Sequence, residues 1–349
     1  MKVVFLLSEI SGYMAACQKE LIRQTNQEIL VYHWPKASNA PFDDSLVEHI
    51  AYRYEKTQQT TVHDITQNVK DFGANIIIMS GWMDKEYLKA AKILKKSGVK
   101  IIAGSDTQSN GNWRQRVASK ISPWYLKPSI DILWVTGDRQ KKLANRLGYW
   151  GNNVMTGFYT CDWDKFQNTT DKSGNRVFLY VGRLIERKGI LDLLEAYKLY
   201  REKVSDPWKL YIAGTGELEQ SCLNVPGVKL SGFVQPAELP SVYQGAGAFV
   251  LPSHYEPWGV ALHEAAASSL PLIASSAVGA GDHLIENGVN GYVQRANNKK
   301  NLLQCLLNMH HLSKKDQIEM GKNSFLKSQE YTPNVWIKSI LNQASKIDN

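Results

Sequence analysis

Residues 253–267 read Ser253-His254-Tyr255-Glu256-Pro257-Trp258-Gly259-Val260-Ala261-Leu262-His263-Glu264-Ala265-Ala266-Ala267. An apolar run, Ala248–Leu251, precedes them, and Pro257 and Gly259 punctuate the chain before an alanine-rich segment. That order predicts a buried strand, a loop, and a helix opening at 259. Glu256 falls in the loop and Glu264 about one and a half turns into the helix, so both can face one cleft. Gly259 permits close backbone approach. The free amides after it make an anion site at the positive end of the helix dipole.

The same strand-to-helix unit recurs in both directions. Strands are expected at 177–181, 209–213 and 228–231, with helices at 188–202 and 236–244; a strand follows at 272–274. From 298 the chain is helical, with a break at 331–333. The first half repeats the pattern. Strands are read at 2–7, 28–33, 74–79, 99–103 and 130–135, and helices up to residue 24 and at 62–72 and 84–96. Alternation of this kind predicts parallel sheets covered on both faces. The polar, turn-rich stretch 158–175 reads as a linker. The fold class is therefore α/β, with two facing doubly wound, Rossmann-like domains and a cleft between them at the carboxyl ends of the strands. The domains are expected at 1–165 and 166–331, with a C-terminal helix at 332–349 packing back on the first.

Two further strand-to-helix loops carry chemistry. In Gly182-Arg183-Leu184-Ile185-Glu186-Arg187-Lys188-Gly189, the cations Arg183 and Lys188 could clamp a diphosphate. In Gly214-Thr215-Gly216-Glu217-Leu218-Glu219, the start of a dinucleotide fingerprint is broken by Glu219 where its last glycine belongs. That excludes a nicotinamide site and leaves a tight turn beside a nucleotide. His254 and His263 flank the glutamates and are read as surface or packing residues.

The 349-residue composition excludes a disordered or fibrous chain. With 41 Lys+Arg against 33 Asp+Glu, net +8, it invites an anionic partner: nucleic acid, nucleotide or membrane surface. The charge is local. Residues 84–146 carry 14 Lys+Arg and 5 Asp+Glu, net +9, which leaves −1 for the rest. Lys89, Lys92 and Lys96 share a helix face, and Arg114 lies among Trp113 and Trp124. Cations with interleaved aromatics suit an anionic lipid surface. Two readings stay open: a solvated basic helix face, or a first half that rests on a membrane and receives a lipid-linked or membrane-bound acceptor. No nucleic-acid-reading motif accompanies the patch. The four cysteines share no metal spacing and read as reduced thiols of a cytoplasmic protein, peripheral on the inner membrane face. No metal centre is expected. Val3–Leu7 is too short for a signal segment, and no run is long enough to span a bilayer.

Taken in order, Gly182-Arg183…Lys188-Gly189, Gly214-Thr215-Gly216, Gly232-Phe233-Val234, Leu251-Pro252-Ser253, Glu256-x7-Glu264 and Gly288-x-Asn290-Gly291 resemble retaining glycosyltransferases of family 4, with the GT-B fold. The resemblance covers about 177–293; the first half matches in layout. It implies that Arg183 and Lys188 hold a donor diphosphate, Glu264 the ribose hydroxyls and Glu256 the donor sugar. The backbone of Trp258, Gly259, Val260 and Ala261 would meet phosphate and sugar, Gly214 would turn beside the nucleotide, and Val234 would lie near the base. Gly12, in the loop after the first strand, would pass close to the diphosphate. Asp106 would take the place of a histidine that many relatives carry at a first-half strand end, touching the donor sugar; a loop-cap role for it stays open. The implied activity is metal-independent, retaining hexosyl transfer from a UDP- or GDP-sugar to a glycan or lipid-linked glycan, in surface polysaccharide or glycoconjugate synthesis. No cofactor is implied, since the nucleotide-sugar is a substrate. A catalytically silent sugar- or nucleic-acid-binding protein on the same fold is the alternative.

Overall fold

The computed structural model describes residues 1–35, 46–109, 111 and 113–344. The chain divides into two compact units: Met1–Thr160 together with the chain from Pro333, and Cys161–Thr332. The division falls inside the expected linker, at Thr160/Cys161, and the linker carries a helical turn at Trp163–Phe166.

The first unit is built on seven parallel strands: β1 (Val3–Leu7), β2 (Ile29–His33), β3 (Tyr52–Glu55), β4 (Ile76–Met79), β5 (Lys100–Ser105), β6 (Ile132–Val135) and β7 (Val154–Met155). They lie in the order β3-β2-β1-β4-β5-β6-β7. The second has six parallel strands: β8 (Val177–Val181), β9 (Lys209–Ala213), β10 (Val228–Leu230), β11 (Ala248–Leu251), β12 (Leu272–Ser275) and β13 (Gly291–Gln294). Their order is β10-β9-β8-β11-β12-β13. In each sheet the winding reverses once, between β1 and β4 and between β8 and β11. Such reversals open a crevice at the carboxyl ends of the flanking strands.

Central strands such as Ile76–Met79 are apolar at every position because helices cover both faces. The covering helices are set by their ends. Thr61 and Asp64 form a reciprocal capping box on Val62–Phe72, and Asp84 accepts from the Glu86 and Tyr87 amides to start Lys85–Lys96. The other face of the first sheet packs on Gly12–Thr25 and on Pro333–Ala344. There Trp336 stacks on Trp134 with ring centroids 4.6 Å apart and donates its Nε1–H to the Phe158 carbonyl at 2.9 Å. At ~25 cal/mol per Å2, a buried aromatic of this size contributes about 4–6 kcal/mol of transfer free energy, an upper figure.

Three strands were not legible. β3 is an edge strand exposed at all four positions, β7 has two residues, and β13 is a second-sheet edge. Gly12 is not in a loop. It is the first residue of the helix Gly12–Thr25, and a Cβ placed on it meets nothing within 4 Å.

Candidate functional site

In the second unit, the loops after β8, β9 and β11 are knitted through their backbones. The Gly182 amide donates to Ala213 O at 3.0 Å, Leu184 to Thr215 O at 2.8 Å, and Leu218 to Leu184 O at 2.9 Å. Gly214 has φ 147°, and a side chain there would run into the Gly182 carbonyl. The turn is glycine because backbone crosses backbone. The Tyr180 hydroxyl donates to Arg183 O at 2.9 Å, which fixes the main chain and leaves the guanidinium exposed.

Beyond it, the short turn Glu186–Lys188 delivers the Lys188 ammonium onto Glu256 Oε2. Both side chains are largely buried, at 15% and 11% exposure. Ser253 Oγ donates to the same carboxylate oxygen at 3.4 Å. The Glu256 main chain is held on both sides: its amide donates to Ala277 O at 3.3 Å, and Gly279 donates to its carbonyl at 3.0 Å. Lys188 and Glu256, read from the sequence as serving different parts of a ligand, are thus each other's partner here. A buried pair of this kind has little net stabilising value, but removing one member strands the other charge, costing up to about 3–5 kcal/mol.

Gly259, at φ 104°, caps the helix Val260–Ala267. A Cβ at Gly259 would press on Val278, Leu251 and Glu256 at 3.1–3.3 Å. The first amides of a helix have no acceptor within it, so those of Val260 and Ala261 point out of its positive end. Both residues are half-buried. The Trp258 ring belongs to the core, 5.4 Å from the His283 ring and 5.8 Å from that of Tyr331, between centroids. Only its backbone remains for a ligand.

Glu264 lies one turn into the helix and has no salt-bridge partner among the described residues. Its Oε2 accepts from the Tyr243 hydroxyl at 2.8 Å. Burial pushes its pKa up to about 7; the Tyr243 hydrogen bond opposes this, and the charge of Asp162 adds to it. Tyr243 is fully buried and stays a neutral donor. Val234 is half-buried, two residues after Gly232, whose carbonyl accepts from the Gly214 amide at 2.8 Å. His254 lies 2.9 Å from Asp192 Oδ2 and His263 lies 3.0 Å from Ser328 O, so neither points to a ligand. Burial keeps His263 neutral, with a pKa of about 4. Sequence reasoning missed Tyr243, which no motif marked, and the role of Ser253 beside Glu256.

In the first unit, Asp106 follows β5. At the same strand end Ser105 Oγ accepts from the Thr107 amide at 3.3 Å. The Asp106 carboxylate faces a cavity of about 180 Å3 that Glu9, Tyr13, Ser80 and Tyr159 also line. Tyr159 donates to it at 3.4 Å. Burial pushes Tyr13 up to about 12 and Tyr159 well above its ordinary value, so both remain hydroxyl donors. Lys89, Lys92, Lys96, Trp113, Arg114 and Trp124 are all exposed, on the helices Lys85–Lys96 and Trp113–Tyr125 of this unit. Among the described residues no three His, Cys, Asp or Glu side chains group as metal ligands. No described helix is long and apolar enough to cross a membrane.

The architecture is the two-domain GT-B fold. The structure of Anabaena HepE in complex with UDP superposes on 99% of this chain and 100% of its own, with a TM-score of 0.79 at 18% identity. Residues 162–325, nearly the whole second unit, match the family model of the glycosyl transferases group 1. An uncharacterized glycosyltransferase of Methanocaldococcus jannaschii is 32% identical over 166 residues, 44% of this chain and 40% of that protein. A glycogen synthase of Mycobacterium tuberculosis is 32% identical over 207 residues, 55% of this chain and 49% of its own. The chain thus spans less than half the length of these relatives.

Proposed function

We propose that the protein is a retaining glycosyltransferase that moves a hexosyl group from a UDP- or GDP-sugar to a glycan or lipid-linked glycan. The observation that carries this reading is the grouping, beyond the carboxyl ends of β8 and β11, of an exposed Arg183, the Lys188–Glu256 pair and the helix mouth at Val260 with Glu264 behind it. Leaving-group departure from a nucleotide-sugar places negative charge on the diphosphate. Arg183, Lys188 and the amides of Val260 and Ala261 answer that charge by preorganised electrostatics. When a diphosphate engages Lys188, Glu256 loses its cation and becomes an acceptor for donor-sugar hydroxyls. Glu264, once ionised, accepts the ribose hydroxyls. No protein nucleophile is assigned: the acceptor attacks on the face the phosphate leaves, and a phosphate oxygen takes the proton. The cations make a divalent metal unnecessary. Asp106, with Tyr13 and Tyr159, binds hydroxyls on the first-unit side. The complexes of HepE with UDP and with UDP-glucose support a nucleotide-sugar donor. The four buried cysteines fit a reducing, cytoplasmic compartment.

The test is a thermal-shift screen of UDP- and GDP-sugars, followed by transfer assays with the hit in excess chelator. The expected result is a donor-dependent rise in melting temperature, then chelator-insensitive transfer with an α-linked product by NMR from an α-linked donor. A β-linked product overturns the retaining reading. Donor binding with no turnover on any glycan acceptor leaves the silent sugar-binding alternative in its place.

A further inference from the structure

The helix Trp113–Tyr125 is built inside out. Its inward positions are polar: Ser122 is its buried residue, and Gln115 and Ser119 are half-buried beside it. They are held by hydrogen bonds. Gln115 Nε2 donates to Gln108 O at 2.9 Å, and Ser119 Oγ donates to Gln115 O at 2.7 Å. Ser122 Oγ lies 2.8 Å from Leu147 O and 3.2 Å from Ser119 O, the carbonyl that Pro123 leaves without its donor. The apolar side chains point to solvent. Trp113 is 70% exposed, Val117 50%, Ile121 54%, Trp124 78% and Tyr125 52%. At roughly 100° per residue, Trp113, Trp124, Val117 and Ile121 share an arc of about 80°, and Tyr125 borders it. Arg114 stands on one flank of this stripe, and Arg116 and Lys120 on the other. Just past the helix, the Lys127 ammonium lies 5.7 Å from the ring of Trp150, itself 59% exposed.

Burial of apolar surface cannot have selected this pattern, because the apolar residues are the ones left in water. The surrounding charge identifies what covers them. Between Asp106 and Asp131 the sequence holds no acidic residue, while Arg114, Arg116, Lys120 and Lys127 are all cationic. An apolar stripe with Trp at both ends and cations on both flanks matches the acyl–headgroup boundary of an anionic bilayer. The helix Lys85–Lys96 is tied to the same corner by Lys95 Nζ, which donates to Lys127 O at 2.7 Å. Its exposed Lys89, Lys92 and Lys96 extend the positive field.

We propose that the helix Trp113–Tyr125 seats the first unit on an anionic membrane, lying in the plane of the interface. Its apolar stripe enters the acyl boundary, and Arg114, Arg116, Lys120 and Lys127 lie among lipid phosphates. This deepens the reading of a lipid-linked acceptor made above. The helix leads directly from the loop that carries Asp106, so the cavity at Asp106 is held near the lipid surface.

The experiment is flotation of the full chain, without donor, on phosphatidylcholine vesicles with and without phosphatidylglycerol. Because no transfer is measured, its failure is separate from failure of the glycosyltransferase reading. The protein is expected to float with the anionic vesicles and not with phosphatidylcholine alone, and to be released by salt. Trp113→Ala/Trp124→Ala alters only exposed side chains, and circular dichroism checks its fold. It should weaken vesicle binding by about tenfold or more. Lys89→Glu/Lys92→Glu/Lys96→Glu should weaken it less, since those side chains act only through the field. A chain that stays at the bottom with anionic vesicles overturns the proposal, as does a double variant that floats like the wild type. So does a concentration-dependent dimer in sedimentation that the double variant abolishes, which would make a second copy the occupant of the stripe.

Discussion

The two sheets end in opposite chemistry at equivalent places. After β8 and β11 the second unit presents charge: an exposed guanidinium, an ammonium on a carboxylate, and a helix mouth with a second carboxylate behind it. After β1, β4, β5 and β7 the first unit presents hydroxyls among carboxylates: Tyr13, Ser80 and Tyr159 beside Asp106 and Glu9. The same doubly wound sheet supplies the crevice in both. What differs is the ligand each can stabilise. Charges compensate a phosphate leaving group, whereas neutral donors beside carboxylates suit the hydroxyls of a sugar. The lesson is that the topology fixes where a site lies, and only the side chains on the loops decide what it does.

The largest effect that would break this contrast is at Lys188. Lys188→Ala is expected to lower kcat/KM by about 10²–10³, the loss typical of one preorganised transition-state contact. It should also lower the melting temperature by stranding Glu256, and Lys188→Ala/Glu256→Gln should restore much of the stability but not the activity. Steady-state kinetics and calorimetry check both. Wild-type turnover in Lys188→Ala would remove the charged edge from the mechanism.

Next comes Glu264. Its carboxyl is held above its ordinary value, at about 7, so its stabilising contribution belongs to the protonated form. That contribution is full below the unfolded value of about 4.5 and is lost as pH rises through about 7. Ribose hydroxyls need the ionised form, so donor KM should fall over the same window as stability falls. Glu264→Gln should flatten both profiles and raise donor KM by about tenfold at neutral pH. A variant that keeps the wild-type pH profile would refute the assignment.

Asp106→Asn sharpens the other side. It should lower kcat/KM for the nucleotide-sugar by roughly tenfold, with affinity for the free nucleotide unchanged by calorimetry. A matching loss of free-nucleotide affinity would merge the two regions into one site. The smallest effect is at Gly12. Gly12→Ala is expected to stabilise the fold by about 0.5–1 kcal/mol, because the helix position has room for a methyl group. A rise in donor KM on top of that gain would bring a phosphate against this amide.

Most strands were legible because parallel, doubly covered strands are short apolar runs such as Ile76–Met79 and Ala248–Leu251. β3 escaped because Tyr-Arg-Tyr-Glu lies on an edge and buries none of its residues. In the candidate site, the types and loop positions of Arg183, Lys188, Glu256 and Glu264 could be read, since turn glycines mark strand-to-helix loops. The pairing of Lys188 with Glu256 could not, because 68 residues separate them and no local pattern couples them. Tyr243 was hidden for the same reason. In Trp113–Tyr125 the sequence showed cations and aromatics, but which side turned outward depended on the hydrogen bonds of Gln115, Ser119 and Ser122.

The stacking of Trp336 on Trp134 sets an order of events during synthesis. The first unit is made first, yet the part of one sheet face that the helix Gly12–Thr25 does not cover stays bare until Pro333–Ala344 leaves the ribosome. At translation rates of about 5–20 residues per second, the intervening second unit takes on the order of 10–30 s to make. It can close its own core in that time, while Phe5, Trp134 and Phe158 wait for the helix that covers them. A stop at residue 332 would leave the apolar patch around Phe5, Trp134 and Phe158 without its cover.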